Sequence, residues 1–103
     1  VNLFEGKGFL VKELYVKSKS SLSLQKHHHR SEYWLVTNGK PLITINKNKF
    51  FKKPNENVFI PQGAIHRIEN PYKKAVKIIE VQTGPILKES DIVRYQDIYG
   101  RVK

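Results

Sequence analysis

The sequence predicts an all-β fold, a sandwich, jelly roll or barrel of short antiparallel strands. Three observations point there. Runs rich in Val, Ile, Leu, Phe and Tyr recur at intervals of about ten residues. Gly, Pro, Asn and Ser punctuate the gaps between them. No long stretch shows a convincing helical period.

In chain order, the first strand is expected over residues 9–17 and ends at a Lys19-Ser20 turn. A second, 21–28, alternates Leu22 and Leu24 with Ser23 and Gln25. Strand 32–38 follows, and Asn38-Gly39-Lys40-Pro41 turns the chain into 41–46. The Asn46-Lys47-Asn48 turn leads to 49–52, and Pro54-Asn55-Glu56 leads to 57–61. Pro61 lacks an N–H and closes that ladder, while Gly63 permits the positive φ of a tight reversal into 66–70. After Asn70-Pro71-Tyr72 comes the last strand, 75–83, and residues 89–99 have room for a short helical turn.

With 103 residues the chain amounts to one domain, and no linker, repeat or low-complexity tract divides it. Cys is absent, which rules out disulfides, thiolate metal sites and Cys nucleophiles. No run approaches the ~18 apolar residues of a membrane span, and the N-terminal residues lack a signal-peptide core. A cytoplasmic protein with no membrane partner is expected. The chain starts at Val1 rather than Met, as a processed chain or an excised domain does. The formal charge of +10 would suit nucleic acid, an anionic surface or small phosphorylated substrates. The lysines, Lys12 among them, are scattered, with only 47–53 resembling a cluster, so they read as solvated strand exteriors and hairpin ends. A nucleic-acid partner is not expected.

The segment Gln25-Lys26-His27-His28-His29-Arg30-Ser31-Glu32 carries the sharpest chemistry. On an extended strand Gln25, His27 and His29 share one face, and a turn through Arg30-Ser31 would bring Glu32 beside His27. Imidazole, amide oxygen and carboxylate together suit a divalent zinc, iron, manganese or cobalt ion. Exposed imidazoles on a polar turn are an equal alternative for this cluster alone. His66, entering a strand after the Pro61-Gln62-Gly63 turn, would supply the remote ligand that such a site needs.

These two stretches resemble the two motifs of the cupin superfamily, G-x5-H-x-H-x3–4-E-x6-G and G-x5-P-x-G-x2-H-x3-N. The second matches from Pro61 through Gly63 and His66 to Asn70, with Asn55 at the position of its first Gly. In the first, Glu32 and Gly39 keep the family spacing, His27 has an allowed spacing, and Gln25 stands where the first His would be. The segments SLSLQKHHHRSEYW, IPQGAIHRIENP, IIEVQTG and DIVRYQDIYGR together resemble the C-terminal cupin domain of type II phosphomannose isomerases. In that family the domain usually follows a mannose-1-phosphate guanylyltransferase domain. No Gly-rich nucleotide loop is present here, and the family's short upstream strand-forming segment is not evident. Residues 1–103 are therefore expected to be a single cupin domain, a fragment or C-terminal domain of a longer enzyme.

The resemblance implies a cupin-type double-stranded β-helix, a jelly-roll barrel, with a divalent ion held by Gln25, His27, Glu32 and His66. Zinc comes first, with cobalt, manganese, magnesium or iron as alternatives. It implies interconversion of mannose 6-phosphate and fructose 6-phosphate, in the synthesis of GDP-mannose and polysaccharide precursors, with a phosphorylated hexose as substrate. The alternative is a non-catalytic cupin that binds a sugar phosphate or nucleotide sugar and regulates a guanylyltransferase domain. His29 is the first candidate for acid/base work or for replacing Gln25, with a hydrogen-bonding support role as its equal. Arg30 and Arg67 adjoin ligands and are candidate phosphate binders, although strict alternation puts both on the opposite face. Glu80 and Gln82 share one face of the last strand and are candidates to enter the barrel, whereas Trp34 reads as core filling. Leu22 and Leu24, facing away from Gln25, predict cover by a second chain in a homodimer or by the C-terminal residues.

Overall fold

The structure, a computed structural model, describes residues 2–84 and 92–94. These form eleven strands, and no helix occurs among the described residues. They are β1 (Asn2–Gly6), β2 (Phe9–Val16), β3 (Ser20–Ser21), β4 (Gln25–His27), β5 (Ser31–Asn38), β6 (Leu42–Ile45), β7 (Asn48–Phe51), β8 (Asn57–Ile60), β9 (Ile65–Asn70), β10 (Val76–Thr83) and β11 (Ile92–Arg94). One sheet runs β1-β2-β10-β5-β8 and the other β11-β4-β9-β6-β7, with β3 also paired to β9. Every ladder is antiparallel.

Period-two alternation builds the interior. In β10 the even residues are buried from Val76 to Gln82, and in β5 Glu32, Trp34 and Val36 are buried between exposed neighbours. The inward side chains Val16, Trp34, Val36, Ile60, Val76 and Ile78 of the first sheet meet Ile43 and Ile68 of the second in one core. The turns hold this register. Asn55 adopts φ 75°, so it meets the left-handed requirement that the motif's Gly would meet, and its N–H donates to the Val36 carbonyl at 2.8 Å. Asn70 is buried, and its amide donates to the carbonyls of Val16 (3.1 Å) and Lys74 (2.8 Å) while its oxygen accepts from the Tyr72 N–H (3.1 Å). One side chain thus ties three segments at the end of the barrel remote from His66.

Two expectations change here. The strand foreseen over 21–28 is broken into β3 and β4, because Leu22–Leu24 leave the ladder and the Leu22 N–H donates to the Ile68 carbonyl at 2.9 Å. Without strict alternation both leucines turn inward: Leu24 is buried and Leu22 packs on the core. They do not form an exterior patch, so they give no reason for a second chain. Within 89–99, where a helical turn was expected, Ile92–Arg94 instead pairs with β4, and the rest of that stretch lies outside the described residues. The edge strand β1, not foreseen in the sequence, pairs with β2.

Truncating a side chain as enclosed as Ile78, an Ile78→Ala change, should cost about 2–5 kcal/mol in urea unfolding. Asn70→Ala should cost about 1–3 kcal/mol or more, since it leaves buried carbonyls without a donor.

Candidate metal centre

Three segments are brought to one point. β4 ends at His27, whose carbonyl accepts from the Gly63 N–H at 2.9 Å, and the Gln62 side-chain amide bonds the His28 carbonyl. Gly63 takes φ 84°, so the loop can lie across the end of β4. The Asn46 turn then grips the start of β9: its N–H donates to the Ile65 carbonyl at 2.7 Å and its side chain accepts from the Ile65 N–H at 3.1 Å. His66 follows directly, opposite Gln25 in the β4–β9 register. Glu32, second residue of β5, enters from the other sheet opposite Gln82.

His27, Glu32 and His66 are all buried and offer donor atoms that lie within 4.8 Å of one another. His27 Nε2 stands 3.1 Å from Glu32 Oε2, and His66 Nε2 stands 3.8 Å from Glu32 Oε1. The tautomers follow from the partners. His66 Nδ1 faces the Ala64 carbonyl at 3.2 Å and donates to it, which leaves the Nε2 lone pair directed at Glu32. Burial holds the His66 pKa below its ordinary value, so this ring is neutral at pH 7. Arg30 contacts His27 Nε2 through Nη2 at 2.9 Å and Glu32 Oε2 through Nε at 3.1 Å. A guanidinium can only donate, so His27 Nε2 is also an acceptor. Two acceptors 3.1 Å apart are thus bridged by a single cation.

This donor set fits a divalent ion, since two imidazole lone pairs and a carboxylate around one point are the ligands that zinc and its first-row neighbours take. His27, Glu32 and His66 would hold the ion, and the Arg30 guanidinium borders two of these donors. Gln25 is half-buried and lines the cavity beside His66, and its amide nitrogen lies 3.4 Å from Ser23 Oγ.

A second layer orders the carboxylate. Trp34 Nε1 donates to Glu32 Oε1 at 2.8 Å and also approaches Glu80 Oε2 at 3.2 Å. The Gln82 amide donates to Glu80 Oε1 at 2.6 Å. Burial, then a hydrogen bond with Glu32 and repulsion from its charge, push the Glu80 carboxyl up to about 8, so it is protonated at neutral pH. Trp34, Glu80 and Gln82 line a cavity of about 180 Å³ between the sheets, together with Arg30 and His66.

The candidates named from sequence separate at this point. Arg30 turns inward and is buried, although alternation placed it outside. The cause is a bend after His27 that packs over Gly84, where a Cβ would collide with the His29 carbonyl and lie 2.9 Å from Arg30 Cα. Gly84 takes φ 152°, which side-chain-bearing residues rarely adopt. His29 lies on the same bend and is exposed, off the face of His27, because the strand ends before it; it is therefore not placed for acid/base work in the cavity. Arg67 alternates with His66 and Ile68, yet its side chain is largely buried and lines the cavity, and its guanidinium meets Glu69 Oε1 at 3.3 Å. Glu80 and Gln82 do enter the barrel, and Trp34 is core as expected. Lys12, read as a solvated lysine, lines the cavity: it shares the inward face of β2 with Leu10, Leu14 and Val16, a parity visible in the sequence.

Comparison with known proteins gives the family and the fold. Residues 2–97 match the family described as mannose-6-phosphate isomerase C-terminal. The alginate biosynthesis protein AlgA of Pseudomonas putida is 47% identical over 96 residues, which cover 93% of this chain and 20% of that protein. Mannose-1-phosphate guanylyltransferase ManC of Salmonella typhimurium is 45% identical over 97 residues, 94% of this chain and 20% of the relative. The chain thus spans about one fifth of the length of these relatives. Among solved structures the cupin domain of Schizosaccharomyces pombe Cnp3 superposes with a TM-score of 0.78 at 20% identity, covering 82% of this chain and 62% of that one. That likeness shows the fold, a double-stranded β-helix of the cupin type.

Two outcomes are expected. Calorimetric titration with Zn²⁺ should show a site in the wild type that Glu32→Gln weakens at least tenfold, about 1.4 kcal/mol or more. In the metal-free protein, the raised Glu80 pKa means that the folded state holds a proton that the unfolded state releases above 4.5. That contribution is complete below pH 4.5 and is lost as pH rises through about 8. Glu80→Gln should therefore gain thermal stability relative to wild type as pH rises across this window, by several degrees in Tm; a pH-independent difference would contradict the assignment.

Proposed function

The chain belongs to the family of mannose-6-phosphate isomerase C-terminal domains, and on that premise we propose that it is a metal-dependent aldose–ketose isomerase domain acting on mannose 6-phosphate and fructose 6-phosphate. The observation that supports this reading most directly is the convergence of His27, Glu32 and His66 on one point, with His66 also lining the neighbouring cavity. The names of the relatives, an alginate biosynthesis protein and a mannose-1-phosphate guanylyltransferase, support a place in the supply of sugar nucleotides for polysaccharides.

The reaction moves a proton between C1 and C2 of the sugar and another between their oxygens. A divalent ion, when bound, supplies Lewis acidity that steadies negative charge developing on those oxygens. His27 and His66 present neutral Nε2 lone pairs, and Glu32 brings the negative charge that makes the site selective for a cation. Arg30 is the positive side chain already in contact with Glu32 and His27, placed to steady an oxyanion at the cavity wall. Glu80 takes the acid/base role, because its carboxyl faces the cavity. Trp34, Leu14 and Ile68 give the cavity apolar walls that limit water around the reacting carbons.

A coupled assay on folded, zinc-loaded protein tests this reading. Wild type should turn over mannose 6-phosphate. His66→Ala should lower kcat/KM by at least about a hundredfold, ~2.7 kcal/mol of barrier, while the circular dichroism of the fold is retained, since the turn before His66 is set by backbone bonds. Binding of the sugar phosphate without turnover in the loaded wild type would instead favour a regulatory sugar-phosphate binder. Equal activity in wild type and His66→Ala would refute a metal-centred reaction.

A further inference from the structure

Lysine is out of place on the inward face of β2. Leu10 and Val16 are buried and Leu14 packs against the core, yet Lys12 between them points the same way and lines the cavity. A charged amine in such a stripe gives up part of its hydration and is normally offset by a partner. The natural one would be Glu80, directly opposite across the β2–β10 ladder, but no ion pair joins them. Among the described residues no hydrogen bond or ion pair holds the Lys12 ammonium. The other cationic side chains near the cavity are engaged, Arg30 with Glu32 and His27 and Arg67 with Glu69.

We propose that Lys12 is the residue by which this cavity selects a phosphorylated sugar, its ammonium receiving the phosphate dianion while the carbonyl end of the sugar lies at His27, Glu32 and His66. The inference rests on the isomerase reading and adds its specificity determinant. Placement supports it. Lys12 aligns with Glu80, and Glu80 with Trp34, so Lys12 lies in the row next to Glu32 and two strands away from it. That separates the two Cα atoms by about 10 Å across the strands and about 7 Å along them. A flexible lysine stem reaching in from one side and the ligand side chains from the other leave a gap on the scale of a six-carbon chain. The inward position also keeps the charge partly out of bulk water, where its attraction for a phosphate is less screened.

The test uses the whole chain loaded with zinc, with Lys12→Gln and Lys12→Met as variants so that one polar and one apolar replacement guard against a packing defect. Equilibrium titrations with mannose 6-phosphate, mannose and inorganic phosphate are compared with isomerase kinetics. Wild type should bind mannose 6-phosphate well above mannose. Both variants should lose about ten- to hundredfold in affinity for mannose 6-phosphate and for phosphate, with KM rising by a similar factor and kcat changing little. Lys12→Arg should recover part of the preference. If the folded variants bind mannose 6-phosphate as wild type does, the role of Lys12 is overturned while wild-type turnover keeps the isomerase reading intact. If wild type shows no preference for the phosphorylated sugar, the proposal fails as well, and absence of turnover in that same sample separately removes the isomerase reading.

Discussion

A carboxylate sealed inside a β-sandwich is the constraint around which this molecule is arranged. Glu32 is 1% exposed, and an ionised group at that depth is tolerated only with charge-assisted partners on its lone pairs. Arg30 and Trp34 donate to its two oxygens, and the two imidazoles stand beside them with their Nε2 atoms turned to the same point. Much of the local backbone follows from that need. The chain must bend after His27 to carry Arg30 inward, and the bend needs Gly84 beneath it. Trp34 must hold its N–H on Glu32 rather than fill the core in any orientation.

The same arrangement explains how a site with cation-binding donors fits within a folded core. The guanidinium already supplies positive charge to Glu32 and to the His27 lone pair, so the interior is electrically balanced by the chain's own side chains. Small modules that lack a sizeable core take their folding energy from the ion they bind, and this domain is built on another plan. It has a hydrophobic core of its own, built from Ile43, Ile68, Val76, Ile78 and their neighbours, and the donor cluster sits on that core rather than substituting for it.

What could be read in the sequence divides along the same line as the backbone. Where residues lie on regular strands, alternation told which side they face: Glu32, Trp34, Glu80 and Gln82 are inside. The two motifs located His27 and His66, which belong to one cluster although they lie far apart in the sequence. The same rule failed wherever the chain leaves a ladder. Leu22 and Leu24 turn inward in an irregular stretch, and His29 and Arg30 exchange their expected sides in the bend. Neither departure has a local signature; both depend on a distant partner, Ile68 in one case and Gly84 in the other. Lys12 is a different kind of miss, since its inward parity was legible and the count of scattered lysines obscured it.

Trp34 is the only tryptophan in the chain, and its ring stands edge-on to His66 with centroids 5.4 Å apart while its N–H serves Glu32 and Glu80. The molecule therefore carries a native optical probe wired to its own centre. Indole emission depends on the field and the quenchers around it, and here those are an imidazole and two carboxyl groups that change character when the cavity is occupied. Intensity and wavelength of that single fluorophore would follow events at the donor cluster without any label, and the tyrosines, Tyr15, Tyr33 and Tyr72 among them on the outer surface, would leave that signal legible under selective excitation.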